Sequence, residues 1–321
     1  MSKKKLAGIV VACIIVVIII VVIASPAPAT KAPPEFVVSN LDVSPEEVEP
    51  GETVTITVEV QNVGEQEGTH ELELILDGLV EQSESVTLDG GQTTSVSFSV
   101  QKDMGGSYDV EIAELTGSFV IIEPVPDIIT LQGTGVTATG TFTLEKGLSI
   151  FHMTHDGNSN FSVWLYDAQT GETVDLLANV TGSYDGSTIV GVTGETMQAS
   201  AGEHLLDVDA DGNWEVIIEQ PRPVTAPTAP QTFTGKGPDV PQAFYLEQGT
   251  ATFHMVHDGT SNFAIWLYDR DGYSIDLLVN EIGPFDGSTV VGVTGGIFDA
   301  APGMHYVAIE ADGNWEVRVE Q

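Results

Sequence analysis

Apolar and polar residues alternate along most of the chain after residue 35, with the period of two that is typical of β-strands. The alternation is clear at residues 53–60, 71–76 and 95–100, where every second side chain is apolar. Such strands bury one face and leave the other in water. Turn dipeptides separate these runs: Pro50-Gly51, Asp77-Gly78 and Gly90-Gly91. The pattern predicts an all-β protein built from antiparallel β-sandwiches.

The second half of the chain contains the same pattern twice. HMTHDGNSNFSVWLYD at residues 152–167 recurs as HMVHDGTSNFAIWLYD at residues 254–269, and DADGNWEV at residues 209–216 recurs as EADGNWEV at residues 310–317. The period of about 100 residues is longer than that of solenoid repeats. We therefore expect each copy to close its own sandwich or jelly roll, and we call residues 128–220 repeat 1 and residues 231–321 repeat 2.

An unbroken apolar run at residues 6–24 follows three lysines near the N-terminus. Its length suits a transmembrane helix, and the lysines favour a cytoplasmic N-terminus. We therefore predict a single-pass membrane protein, with residues 1–24 as cytoplasmic end and anchor and the C-terminal domains extracellular. The alternative is a cleaved signal peptide, because small residues follow at positions 24–29.

Proline-rich segments divide the part of the chain that follows. Residues 25–35 form a Pro/Ala stalk, and residues 221–230 form a second proline-rich linker. Such segments extend as polyproline II and act as semi-rigid spacers. The predicted domains are residues 36–123, repeat 1 and repeat 2.

The charge balance is strongly acidic. The formal net charge is −37, and all 47 acidic residues follow the apolar run. This charge repels nucleic acid and anionic lipid, so no nucleic-acid partner is expected. Cys13 is the only cysteine, so no intrachain disulfide can form.

The region between the stalk and repeat 1 resembles a known family. LDVSPEEVEPGETVTITVEVQNVGEQEG at residues 41–68, with LDGGQTTSVSFSV and GGSYDVEI after it, is similar to the CARDB domain. CARDB is an immunoglobulin-like or fibronectin-like sandwich of prokaryotic cell-surface proteins, and the resemblance extends over residues 36–122. It implies adhesion or spacing and no catalytic residues. The repeats resemble small secreted prokaryotic β-sandwich repeats, a likeness that implies no ligand.

Both faces of the strand predicted at residues 160–167 are apolar. One face is expected in the core, and the other carries Trp164 and Tyr166, matched in repeat 2 by Trp266 and Tyr268. This second face is either covered or exposed. An exposed Trp beside a Tyr offers a flat ring and a polar edge to a sugar or a partner protein.

A hairpin closes each repeat around an Asp-Gly turn. Trp214 and Trp315 are in phase with apolar neighbours, which predicts that both indoles are buried. Oxygen-bearing side chains alternate before and after the turns: Asp209, Asp211 and Asn213, and Glu310, Asp312 and Asn314. The spacing is weakly similar to a calcium loop, but Asp-Gly is also an ordinary turn. No cofactor is predicted, and calcium remains the alternative.

Six of the seven histidines occupy equivalent positions in the two repeats. His152 and His155 should point to opposite sides of a strand, so they are poorly placed to share a metal ion. His155 is in phase with the core, which favours a hydrogen-bonded structural imidazole over metal binding or pH sensing.

Two glycosylation sequons occur in repeat 1 only, at Asn160 and Asn179. The alternative is that both asparagines are unmodified.

Sequence motifs of common enzyme classes are absent: GxSxG, HExxH and CxxC do not occur. We therefore predict a non-enzymatic protein that binds an extracellular polymer, expected to be a glycan, through tandem modules. The alternative is a structural envelope spacer without a specific ligand.

Overall fold

The computed structural model describes residues 31–195, 198–296 and 299–321, and these residues are all-β. Almost every strand pairing is antiparallel, as the alternation predicted; the short pairing of Glu47–Val48 with Leu115–Ile121 is parallel. The strands before residue 128 are β1 Phe36–Ser44, β2 Glu47–Val48, β3 Thr53–Asn62, β4 Gly68–Leu76, β5 Leu79–Leu88, β6 Thr93–Gln101, β7 Gly106–Ile112 and β8 Leu115–Ile121.

The strands of the two repeats follow in matching order. Those of repeat 1 are β9 Ile129–Thr134, β10 Thr137–Ala138, β11 Phe142–Leu144, β12 Gly147–His155, β13 Asn160–Asp167, β14 Thr173–Thr181, β15 Tyr184–Val192, β16 Gly202–Ala210 and β17 Asn213–Glu219. Those of repeat 2 are β18 Gln231–Lys236, β19 Phe244–Leu246, β20 Gly249–His257, β21 Asn262–Asp269, β22 Ser274–Ile282, β23 Phe285–Val293, β24 Gly303–Glu310 and β25 Asn314–Glu320.

The first eight strands form two sheets around an apolar core. β1-β3-β6 is one sheet and β2-β8-β7-β4-β5 is the other. The apolar positions of β3, including Ile56 and Val58, face inward onto Leu74 and Phe119. The alternation seen in the sequence therefore places one face of each strand in the core of a sandwich.

The two repeats have the same sheet order apart from β10, whose place in repeat 2 is taken by an isolated bridge between Asp239 and Ile309. In repeat 1 the sheets are β15-β12-β17-β9, named the β12 sheet, and β10-β16-β13-β14, named the β13 sheet, where β11 also pairs with β16. In repeat 2 the matching sheets are β23-β20-β25-β18, named the β20 sheet, and β19-β24-β21-β22, named the β21 sheet. Each pair of sheets encloses an apolar core.

Trp214 and Trp315 lie in these cores, each 3% exposed, which confirms the prediction from their phase. Each indole nitrogen donates to a backbone carbonyl, that of Gly135 at 3.2 Å in repeat 1 and that of Gly237 at 2.8 Å in repeat 2. Gly133 on β9 and Gly235 on β18 lie against these rings, and the lack of a side chain there leaves room for each indole. This close packing fixes the edge strand of the sheet against the closing hairpin.

The repeats also pack against each other. Leu148 and Ile189 on the β12 sheet form a buried cluster with Tyr306 and Ala308 on the β21 sheet. Backbones approach closely beside this cluster, since a Cβ at Gly191 would lie 2.1 Å from the carbonyl oxygen of Gly272. The interface joins different faces of the two repeats, so it is heterologous.

Glu123, just after β8, forms ion pairs with the second proline-rich linker and with repeat 2. Arg222 Nε lies 3.2 Å from Glu123 Oε2, and Arg270 Nη2 lies 3.7 Å from Glu123 Oε1. Arg270 also donates to the carbonyl of Gly105. Glu123 is thus a common partner for the proline-rich linker and for repeat 2.

The prediction of a single-pass membrane protein is wrong. Across residues 31–195, 198–296 and 299–321, no helix is long and apolar enough to cross a membrane. The physical reason is that this region consists of strands and loops, whose alternating polarity gives no continuous apolar helix. The predicted span at residues 6–24 and the stalk up to residue 30 lie outside the described residues.

Candidate functional site

The predicted Trp/Tyr faces lie on the outside of their sandwiches. Trp164 is 36% exposed and Trp266 is 39% exposed, whereas their neighbours Val163 and Ile265 are fully buried. Strand alternation causes this contrast, because successive side chains point to opposite faces of a sheet. Both indoles are therefore outside the cores of their own repeats.

The surroundings of the two tryptophans differ. Trp164 pairs across the strands with Asp207, whereas Trp266 pairs with Ala308. Ala308 belongs to the cluster between the repeats, and Tyr268 packs against the same cluster. The outer face of the β21 sheet is thus partly covered by repeat 1.

A cleft of about 500 Å³ lies between the outer face of the β21 sheet and repeat 1. Repeat 2 contributes Trp266 and Tyr268 to its walls, and repeat 1 contributes Asp175 and Tyr184. A second cavity of about 210 Å³ is lined by some of the same residues together with Gln198. The junction of the repeats therefore forms two adjoining recesses with aromatic, amide and carboxylate side chains.

Burial at the junction changes the ionisation of its phenols and its carboxylate. It raises the pKa of Tyr184 and of Tyr268 to about 12 in each case, with nearby carboxylates adding to the effect. Desolvation also raises the pKa of Asp175, although the N–H of Leu176 donates to its Oδ1 at 2.7 Å and opposes the shift. Asp175 keeps exposed surface at the edge of the cleft.

The calcium-ligand candidates of repeat 1 each form hydrogen bonds with different partners. Asp211 accepts the backbone N–H groups of Asn158 and Ser159 at 3.2 and 3.1 Å. Asp209 accepts from the amide of Asn160 at 3.2 Å. The amide of Asn213 donates to Asp156 at 2.8 Å. These contacts join the closing hairpin to the loop after β12.

Repeat 2 has the equivalents of two of these contacts. Asp312 accepts from the N–H of Thr260 at 3.0 Å, and the amide of Asn314 donates to Asp258 at 2.8 Å. Glu310 lines the cleft between the repeats. In the described part of the chain, no group of three or more His, Cys, Asp or Glu side chains has the geometry of a metal site. The calcium sites stay a prediction.

His155 and His257 are buried and structurally engaged. Their Nδ1 atoms lie 2.9 and 3.0 Å from the carbonyl oxygens of Gly182 and Gly283, which can only accept, so Nδ1 carries the hydrogen. His155 stacks on Phe161 with ring centroids 4.6 Å apart. These contacts match the predicted structural imidazole.

The sequence reasoning missed a polar group on the outer face of the β12 sheet. His152 Nδ1 lies 3.0 Å from Ser187 Oγ, and its Nε2 lies 3.4 Å from Asp185 Oδ1. The retained pairs His152/His254 and Asp185/Asp286 were the available clue. The backbone N–H of Ser187 donates to Pro238, so it is not free to stabilise an oxyanion beside the hydroxyl.

The two sequon asparagines are both exposed. Asn160 contacts Asp209, and Asn179 lines the cleft between the repeats. Glycosylation at either position stays a prediction, and a glycan on Asn179 would project from the cleft wall.

Comparison with known proteins identifies the first region. The model of the CARDB family matches residues 33–114, which confirms the resemblance stated from the sequence. No curated protein matches the chain.

Solved structures similar to part of the chain include the CARDB domain of a Pyrococcus furiosus protein, in complex with di-metal ions. It is 15% identical, the match covers 28% of this chain and 93% of that one, and the TM-score is 0.23. A β-glucosidase from Erythrobacter marinus matches at 13% identity, 28% of this chain, 16% of that chain and TM-score 0.26. A β-glucosidase from Listeria innocua is 16% identical. The match covers 27% of this chain and 16% of that one, and the TM-score is 0.26. The chain thus spans about a sixth of these glucosidases.

Proposed function

We propose that this protein is an extracellular, non-enzymatic β-sandwich protein that binds an extracellular polymer, a glycan, through the Trp/Tyr faces of its repeats. The observation that carries this proposal is the exposure of Trp164 and Trp266 on regular sheet faces. Large aromatic rings are costly to leave in water, and a sugar ring can cover them. The CARDB match at residues 33–114 supports the extracellular setting.

The proposed architecture is three β-sandwich modules: residues 36–123, repeat 1 and repeat 2. Its support is that the three large apolar clusters each draw on one of these segments. The acidic charge of the chain disfavours nucleic acid as a partner. A surface protein is a further candidate partner for the exposed indoles.

A structural spacer is the second candidate function. It is favoured by the buried cluster of Leu148, Ile189, Tyr306 and Ala308, and by the ion pairs at Glu123, which join the modules without any ligand. Modules held by such contacts would keep a fixed length and direction.

A glycan array with the full chain separates the two functions. The binding proposal expects retained glycans, and it expects Trp164→Ala combined with Trp266→Ala to abolish retention while the melting temperature stays within a few degrees. A wild-type chain that retains no glycan would contradict binding and favour the spacer. Unchanged retention by the double variant would show that binding uses another surface.

A further inference from the structure

The cleft between the repeats is built by both of them. Trp266 comes from β21 of repeat 2, while Asp175 and Asn179 come from β14 of repeat 1. Trp164, the equivalent of Trp266, is not among the residues that line the cleft or the smaller cavity beside it. The recess therefore depends on the packing of repeat 2 on repeat 1.

We propose that this cleft is a binding site for an uncharged oligosaccharide. The inference rests on the proposed glycan-binding function and replaces two equivalent surface sites by one composite site. The 39% exposed indole of Trp266 supplies the aromatic wall. A flat apolar ring stacks on the C–H face of a sugar, which cannot be satisfied by polar contacts.

Repeat 1 supplies groups to the cleft that suit sugar hydroxyls. Asp175 accepts hydrogen bonds, and the side-chain amide of Asn179 both donates and accepts. Gln198 offers a further amide in the smaller cavity beside the cleft. The N–H of Leu176 takes one lone pair of Asp175 Oδ1, which leaves acceptor capacity on the carboxylate. Asp175 keeps exposed surface at the edge of the cleft, so its carboxylate is accessible to a ligand.

Size and charge define the class of sugar. The volume of about 500 Å³ lies within the range of roughly 300–1,000 Å³ that small-molecule sites occupy. Asp175 and Glu310 line the cleft, and the whole chain carries a net charge of −37. This field repels uronic and sialic acids. An uncharged chain of a few sugar units meets both conditions.

The closing experiment uses matched variants at equivalent positions of the two repeats. Calorimetric titration of the full chain with neutral cello-, xylo-, manno- and chito-oligosaccharides, and with oligogalacturonate as a charged probe, gives the wild-type affinity. Trp266→Ala and Asp175→Asn are the cleft variants. Asp276→Asn is the control, since Asp276 accepts from Leu277 at 2.8 Å just as Asp175 accepts from Leu176. Trp164→Ala distinguishes the composite cleft from two equivalent Trp/Tyr faces. Circular dichroism melting confirms that each variant folds.

We expect at least one neutral oligosaccharide to bind, each cleft variant to weaken that binding about tenfold or more, and Asp276→Asn to leave it within about twofold. Trp164→Ala should weaken binding less than Trp266→Ala does. Loss of binding in Trp164→Ala equal to that in Trp266→Ala would overturn the composite cleft and leave glycan binding intact. Preferential binding of oligogalacturonate would overturn the uncharged class. No binding of any probe would overturn both the cleft and the proposed function.

Discussion

Repeats 1 and 2 share one fold and differ in what covers their outer faces. Ile189 on the β12 sheet is 4% exposed because repeat 2 packs on it, whereas its equivalent Val290 on the β20 sheet is 62% exposed. Leu148, also buried in that interface, is matched by the exposed Thr250. The duplicated sandwich has therefore kept its core and changed its outer face where only one copy has a neighbour.

The outer faces of the β13 and β21 sheets also differ between the repeats, but here the face of repeat 2 is the covered one. Tyr306 and Ala308 on the β21 sheet are buried against repeat 1, and their equivalents in repeat 1 are Leu205 and the exposed Asp207. A charged residue in place of a buried alanine makes the free face unsuited to another copy of the β12 sheet. Terminal units of repeat proteins carry such polar outer faces. In the described residues, the buried cluster between the repeats thus uses a different face of each repeat.

The largest expected effect tests what the repeats have in common. Trp214→Ala and Trp315→Ala should each lower the free energy of unfolding by about 3–5 kcal/mol, because each removes a buried ring and its hydrogen bond to a carbonyl. Chemical denaturation of the full chain measures this, with the partly exposed Trp164→Ala as the control. If only one of the two variants lost about 3–5 kcal/mol of unfolding free energy and the other lost little, the two cores would not be equivalent.

A smaller effect is expected from the glycines beneath these rings. A Cβ at Gly133 would lie 2.4 Å from Trp214 Cζ2, and one at Gly235 would lie 2.3 Å from Trp315 Cζ2. Gly133→Ala and Gly235→Ala should each cost about 1–3 kcal/mol by overpacking, as measured by denaturation. Gly140→Ala is the control, because a Cβ there meets nothing within 4 Å. Equal stability of all three variants would contradict the packing described.

The smallest expected effect is a dependence of stability on pH, and it differs between the two repeats. Burial raises the pKa of Asp269 to about 6, whereas the N–H of Thr170 and of Gln169 lower the pKa of its equivalent, Asp167. A raised carboxyl pKa means that the folded state binds the proton more tightly, so stability falls as pH rises from about 4 to 6. Asp269→Asn should remove that fall and stabilise the protein at pH 7 by about 1 kcal/mol.

For Asp167 the expected dependence of stability on pH has the opposite sign. Its lowered pKa gives stability that is present above the ordinary carboxyl pKa and is lost as pH falls through the folded value. Asp167→Asn should therefore destabilise the protein at pH 7. Thermal melting of both variants between pH 3 and 8 checks the pair, and matching pH profiles would show that the two turns have the same environment.

Local patterns predicted the local structure well. The alternation in residues 53–60 identified β3 and its buried face, and the phase of Trp214 identified the core side of β17. The repeated motif predicted matching strand orders. Each of these follows from the period of the strand and needs no knowledge of distant contacts.

The arrangement of the repeats could not be predicted in this way. The sequence treats Trp164 and Trp266 as equivalent, and only the packing of Ile189 on Tyr306 and Ala308 makes one of them line a cleft. The contrast of Ile189 with Val290 is a small change between two apolar residues, so it does not reveal which is covered. The localisation prediction failed because it rested on residues 6–24 alone.

The central claim is that the outer face of the β12 sheet is covered and that of the β20 sheet is not. Hydroxyl-radical footprinting of the full chain, read by mass spectrometry and normalised to the intrinsic reactivity of each residue type, measures this at Ile189 and Val290. We expect Val290 to be oxidised several times faster than Ile189, in line with their exposures of 62% and 4%. Equal rates would show that the repeats do not pack together, and would contradict both the interface and the cleft it forms.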